Sequence, residues 1–216
     1  MKQFISILSF LIIVSCSSKQ ESFNSLSNKQ AFNNSDIESI KSIIEYFESK
    51  VGINKDELSK SYLLLFEQTV LNSDSIFNNV FVKGNLRSFI SGLPKSVKSE
   101  IWTTNKATAY RSYDNMKFAE PIYYDSFDIN PRGKYIELLK EISKEDRSIK
   151  FYVDEIILSG CLPSYFIISD LVFGNKDNKG IDLESDYWRM IIAIHYFTML
   201  EEEYRYMELS NKRSNN

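Results

Sequence analysis

The sequence predicts an all-α fold: a single irregular helical domain of about seven or eight helices behind a flexible N-terminal tether. Three observations carry this expectation. Apolar residues recur at intervals of three and four through most of the chain, the period of one helix face. Gly52, Gly84, Gly92, Gly160 and Gly174 each fall just past such a periodic stretch, where the terminating residue must tolerate left-handed backbone. Alternation of apolar and polar residues nowhere persists beyond four or five positions, and no fixed-period repeat marks a solenoid.

Order is expected to begin at Ser35-Asp36-Ile37-Glu38, a capping box with Ser35 as N-cap and Glu38 three residues on. Ile37, Ile40, Ile44, Phe47 and Val51 then share one face, and Gly52 ends the helix. A second helix runs from Lys55 to Leu71, and its Leu63-Leu64-Leu65-Phe66 run, apolar around most of the circumference, predicts deep burial. Short helices follow over Ser75 to Val82 and Leu86 to Ser91, stopped by Gly84 and Gly92, and Pro94 opens another reaching Thr103. Tyr110 to Asn130 has no period and reads as a long connection. Asn130-Pro131 supplies an N-cap and a first-turn proline for a helix to Lys144. Arg147 to Ser159 forms the next helix, ended by Gly160, and Pro163 precedes an apolar segment, Tyr165 to Phe173, ended by Gly174. The last helix runs from Asp182 to Leu209; its most apolar part, Tyr187 to Leu200, contains Arg189 and His195, which fits a core helix better than a membrane span.

The N-terminus follows different rules. Lys2 precedes an apolar run of 11 residues, Phe4 to Val14, broken only by Ser6 and Ser9. A helix crossing a ~30 Å hydrocarbon core needs roughly 20 residues, so the run does not span a bilayer, and its layout is that of a secretory signal peptide. Ile13-Val14-Ser15-Cys16 resembles the lipobox of bacterial lipoproteins, a resemblance confined to residues 1–16. It implies removal of residues 1–15, a diacylglycerol on the Cys16 thiol and an acylated new amino terminus. Several chains, at ~0.8 kcal/mol per buried methylene, anchor a protein durably. The implied location is the bacterial cell envelope. Ser17 stands where an aspartate often resembles an inner-membrane retention signal, which favours the outer membrane and leaves the leaflet open. The expected organisation is a signal peptide over 1–15, a lipid-anchored tether over 16–35, the all-α domain over 36–209 and a disordered tail over 210–216.

Loss of residues 1–15 leaves 201 residues with a net charge of −4, a length suited to a sizeable core. That charge offers no basic footprint for nucleic acid. A hydrophobic share of 43% with 14% aromatics exceeds that of disordered chains. With Cys16 lipidated, Cys161 has no intramolecular disulfide partner, and the core must hold the fold.

Phosphate loops, nucleophile elbows, paired-cysteine sites and zinc-protease motifs are absent from the sequence, and its 1 histidine excludes a multi-histidine metal centre. No cofactor or metal is expected. Four features remain. Cys161, His195 and Asp170 are the residue types of a thiol nucleophile, its base and its orienting acid, or equally a buried thiol, a core histidine and a local cap. Asn175, Asp177 and Asp186 fall at calcium-loop spacing around Gly180, but Lys179 and Asp182 occupy positions that disagree, so a helix-to-helix turn capped by Asp182 is the better reading. Within 110–130, Tyr110, Tyr113, Tyr123 and Tyr124 alternate with acids including Asp125 and Asp128. Such a segment presents ring area and orienting charge to a glycan, a peptide or a protein partner, or simply pins a long loop; Asp125 and Asp128 also form a carboxylate pair of hydrolase type. Last, Glu201, Glu202 and Glu203 make a solvated face or an acidic docking patch.

The expected function is therefore a membrane-anchored protein-interaction module acting on an envelope partner, such as an accessory subunit, inhibitor or immunity-type protein. The alternative is a surface lipoprotein that binds a glycan or peptide through 110–130, and a hydrolase or thiol enzyme comes third.

Overall fold

The computed structural model describes residues 31–71, 81, 83–110, 121–160, 162, 166–173 and 181–214. Among these, eight α-helices and one β-hairpin occur in the order α1 (Asn34–Val51), a 3-10 turn (Lys55–Glu57), α2 (Leu58–Leu71), α3 (Lys83–Gly92), α4 (Lys95–Ile101), β1 (Trp102–Tyr110), β2 (Pro121–Ile129), α5 (Lys134–Ile142), α6 (Arg147–Ser159), α7 (Phe166–Phe173) and α8 (Asp186–Ser214). The chain is predominantly helical, as its periodicity predicts.

The last helix organises the rest. Every residue of α8 from Met190 to Thr198 is buried, the state expected of a helix that is apolar on all sides. It packs against α1, α3 and β2, while α5 pairs with α6 and α2 with α7. Between α1, α3 and α8 the core is aromatic: Tyr46 stacks on Phe89 with centroids 4.0 Å apart, and Phe47, Phe81 and Phe197 meet at 5.5–5.9 Å. A second layer joins the same cluster through Tyr135, Leu139, Tyr152 and Ile156 of α5 and α6.

Helix ends show how local chemistry was resolved. α6 starts at the expected residue, with Asp146 accepting from Ser148 N and Ile149 N, and stops at Gly160, whose φ of 68° admits the left-handed turn. α1 begins earlier than expected, because Asn33 rather than Ser35 is the N-cap and accepts from Asp36 N at 2.9 Å. Phe32, placed in the tether by sequence, is buried in the core. Asn130 does not cap α5; its Oδ1 accepts from Arg132 N, folding Pro131-Arg132 into a turn, and α5 starts after Gly133. A Cβ at Gly133 would lie 2.1 Å from the Glu100 carbonyl oxygen, so only glycine permits this crossing of α4 and α5. Gly84 lies in the first turn of α3. Asp182 likewise makes a turn, accepting from Glu184 N, and α8 starts at Asp186 and runs to Ser214, into the expected tail. The helix expected over 75–82 lies outside the described residues except for Phe81, as does Gly174.

Two expectations fail for reasons of packing. In α2, Tyr62, Leu65 and Phe66 are buried but Leu63 and Leu64 are exposed, because this helix packs from one side only. The segment read as a helix end and long connection is, where described, an antiparallel hairpin that pairs Trp102 with Ile129 through to Tyr110 with Pro121. Thr104, Asn105 and Lys106 are exposed in succession, so both faces of β1 meet solvent there and the strand lacks the alternation that half-burial imprints. The usable signal was composition: Thr103, Thr104, Thr108, Tyr123, Tyr124 and Phe127 are strand-favouring types.

Candidate functional site

The site is built where the hairpin lies against α8. Asn130 N donates to Ile101 O at 2.8 Å, which fixes the hydrogen-bonded pairs of the ladder and turns the main-chain groups of residues 125, 127 and 129 away from β1. One group of each residue is met by a side chain. Ile129 N donates to Asp128 Oδ1 (2.7 Å), Phe127 N to Glu202 Oε2 (2.5 Å), and Asp125 O accepts from Arg205 Nη1 (3.0 Å). α8 thus takes the place of a neighbouring strand. Glu202 also accepts from the Tyr124 hydroxyl at 2.7 Å, and burial followed by this carboxylate pushes the Tyr124 phenol up to about 12.

Beside this seam lies a groove of about 590 Å³, walled by the hairpin, α3 and α8. Phe127 forms its floor with Ile90; behind Phe127, Trp102 stacks at 5.6 Å and donates from Nε1 to Thr198 Oγ1. The charges in the groove are paired. Glu201, 3% exposed, accepts from Arg87 Nε at 2.8 Å and from Arg205 Nε at 2.8 Å. Arg87 Nη1 reaches Glu208 at 2.7 Å, and Lys106 pairs with Asp125 across the strands at 2.5 Å. The Arg205 guanidinium lies over the Phe127 ring, 5.1 Å from its centroid. Tyr123, 72% exposed, stands at the rim. The volume falls in the ~300–1,000 Å³ range of ligand sites.

Residues singled out separately in the sequence therefore meet. Tyr123, Tyr124 and Asp125 share the groove with Glu201. Asp128 does not join them: an odd spacing along a strand puts Asp125 and Asp128 on opposite faces, which removes the basis for a catalytic pair. Asp128 lies with Glu202, Thr198 and Met199 at a smaller recess of about 190 Å³. Burial raises its pKa, opposed by the amides of Ile129 and Leu162. Nor is the acidic run one docking face, since Glu201 is buried between two arginines and Glu202 holds the hairpin edge. Tyr110 ends β1 opposite Pro121. Tyr113, Cys16 and Cys161 lie outside the described residues, and of Asp170 only its place on α7 is described.

His195 is fully buried in α8, with Nδ1 3.2 Å from the Tyr152 hydroxyl and its ring edge-on to Tyr196. Burial drives its pKa down to about 3, so it is a neutral core residue. Sequence reasoning missed Arg87, Lys106 and Glu208 in the groove. Arg87 offered only a faint signal, a charge next to the buried Leu86 of α3.

Among the described residues no cluster of three or more histidine, cysteine or acidic side chains is placed to hold a metal ion, and no helix is long and apolar enough to cross a membrane. No protein-family model, no curated protein and no solved structure matches the chain.

Proposed function

We propose that the protein is a lipid-anchored interaction module of the bacterial envelope that docks a protein partner at the groove between the hairpin, α3 and α8. The observation that carries this reading is the convergence of an exposed aromatic rim, Tyr123, with guanidinium charges already neutralised in place by Glu201 and Glu208. A partner side chain entering such a recess strands no unpaired charge, which is the desolvation penalty that usually weakens polar contacts. An enzymatic reading has less support, since Asp128 and Glu202 accept from backbone amides and Glu201 from guanidinium groups. Anchorage rests on Ile13-Val14-Ser15-Cys16.

The test is a native pull-down of the full chain from detergent-solubilised envelope, in parallel with Tyr123→Ala and Arg87→Ala. One stoichiometric partner lost in Tyr123→Ala at unchanged melting temperature, and lost in Arg87→Ala at the lower melting temperature that the removal of a cation from buried Glu201 implies, supports the reading; a partner retained by both removes it. A second reading, glycan capture, is favoured by the open Tyr123 ring beside fixed polar groups, on which a sugar face can stack. Trp102 stacks on the groove floor, so its fluorescence reports saccharide binding in a titration.

A further inference from the structure

We propose that the outer edge of β1 is a strand-addition site that takes an extended segment of a protein partner with an acidic side chain facing Lys106; the proposal deepens the interaction reading above and rests on it. The fold treats the two edges of its hairpin differently. On β2, Asp128 and Glu202 take the outward N–H groups of residues 129 and 127, and Arg205 takes the outward C=O of residue 125. The same register turns the groups of Trp102, Thr104, Lys106 and Thr108 outward on β1. Trp102 N is taken by Lys98 O as the cap of α4. The main-chain groups of Thr104, Lys106 and Thr108 have no partner beyond the hairpin among the described residues, and all three residues are exposed. Three successive outward N–H and C=O pairs are what an added strand uses for its main-chain bonds.

Charge selects the occupant. Lys106 is the one charged residue of β1 and stands midway along the open edge. In antiparallel pairing with a second copy centred there, Lys106 meets its own counterpart, the like-charge arrangement that discourages edge-to-edge association. A foreign segment with Asp or Glu at that position gains the opposite-charge pair instead. The existing partner of Lys106, Asp125, does not prevent this, because both side chains are largely in solvent and such pairs hold weakly. Thr104, Lys106 and Thr108 oppose Phe127, Asp125 and Tyr123 and share their face, so alternate side chains of an added strand extend the wall of the groove.

The experiment uses two fluorescein-labelled peptides, Thr-Val-Thr-Glu-Thr-Val-Thr and its Lys-centred counterpart, with the full chain in detergent. Binding is followed by anisotropy and by amide hydrogen exchange. The expected result is binding of the Glu peptide at least about fivefold tighter than the Lys peptide, inverted in Lys106→Glu. Exchange at Thr104, Lys106 and Thr108 slows roughly tenfold while Phe127 is unchanged. Thr108→Pro deletes an outward N–H, which an edge strand tolerates, and abolishes binding at unchanged melting temperature. No slowing at those amides up to millimolar peptide, equal affinity for both peptides, or binding that survives Thr108→Pro overturns the proposal. If Thr108→Pro does not fold, the Lys106→Glu inversion and the exchange pattern decide. A native partner lost in Tyr123→Ala but kept in Thr108→Pro leaves the groove reading standing and removes the edge; one kept in both removes both. A dimer of the free protein that Thr108→Pro dissolves assigns the edge to a second copy and overturns the proposal.

Discussion

Replacing Glu48 by alanine probes an ion pair that ties three helices together. Glu48, 1% exposed on α1, accepts from Arg189 of α8 through Nε at 2.6 Å and Nη2 at 2.9 Å, and from the Tyr62 hydroxyl of α2 at 2.9 Å. Burial alone would lower the Arg189 pKa; the hydrogen bonds and charge of Glu48 outweigh it and hold it above the ordinary value. Breaking a buried pair from one side costs about 3–5 kcal/mol. The lower end applies to the charge, because Arg189 Nη1 keeps Asp186 at 2.7 Å. The stranded Tyr62 hydroxyl adds about 1 kcal/mol, for a total near ~4 kcal/mol. At ~2–4 °C per kcal/mol for a chain of this size, the melting point falls by roughly 8–16 °C. Urea denaturation should show a lower midpoint at unchanged slope. The double variant Glu48→Leu/Arg189→Met should recover most of the loss, since apolar replacement of both partners removes the unpaired charge. A single-variant loss below about 1 kcal/mol, or a double variant no better than the single, would refute the reasoning.

Three further perturbations address other parts of the molecule. His195 titrates near 6.5 when unfolded and at about 3 when folded, so below 6.5 the unfolded state binds the extra proton. Its contribution is complete above 6.5 and is lost as the pH falls, by about 1.4 kcal/mol per unit, and His195→Gln should flatten that slope in urea titrations between neutrality and the carboxylate range. Gly133→Ala forces a Cβ against the Glu100 backbone and should lower stability by about 1–3 kcal/mol; an unchanged melting point contradicts the close approach. Glu202→Gln removes the charge that helps raise Tyr124, so alkaline absorbance titration should place that phenol below about 12 and amide exchange at Phe127 should quicken. Burial still lifts the Tyr124 value, so the return is partial.

What the sequence revealed depended on whether a feature is local. α6 was legible at both ends because Asp146 and Gly160 act within a few residues of themselves. α1 was placed late because Asn33 and Ser35 are equally good cap types, and the choice between them rests on the burial of Phe32, a tertiary matter. The hairpin was missed because its edge is satisfied by Glu202 and Arg205, 75 and 80 residues away from Phe127 and Asp125, rather than by a pattern in the strand. In the same way Tyr123, Tyr124, Asp125 and Glu201 drew notice by type, while their meeting could not, since the groove closes only through Arg87, 114 residues from Glu201. The acidic run misled because a charge is solvated unless distant cations bury it, and here two arginines do so.

The adjacency of Glu201 and Glu202 bears on how this chain tolerates change over generations. One reaches α3 and the other the hairpin from neighbouring positions of a single helix. A one-residue insertion between Thr198 and Glu201 would rotate everything downstream by about 100° while leaving the buried half of α8 in place. Arg87, Phe127 N and Tyr124 would all lose their partners together. Related chains should therefore keep the count of residues in this stretch invariant, even where the residues around it drift.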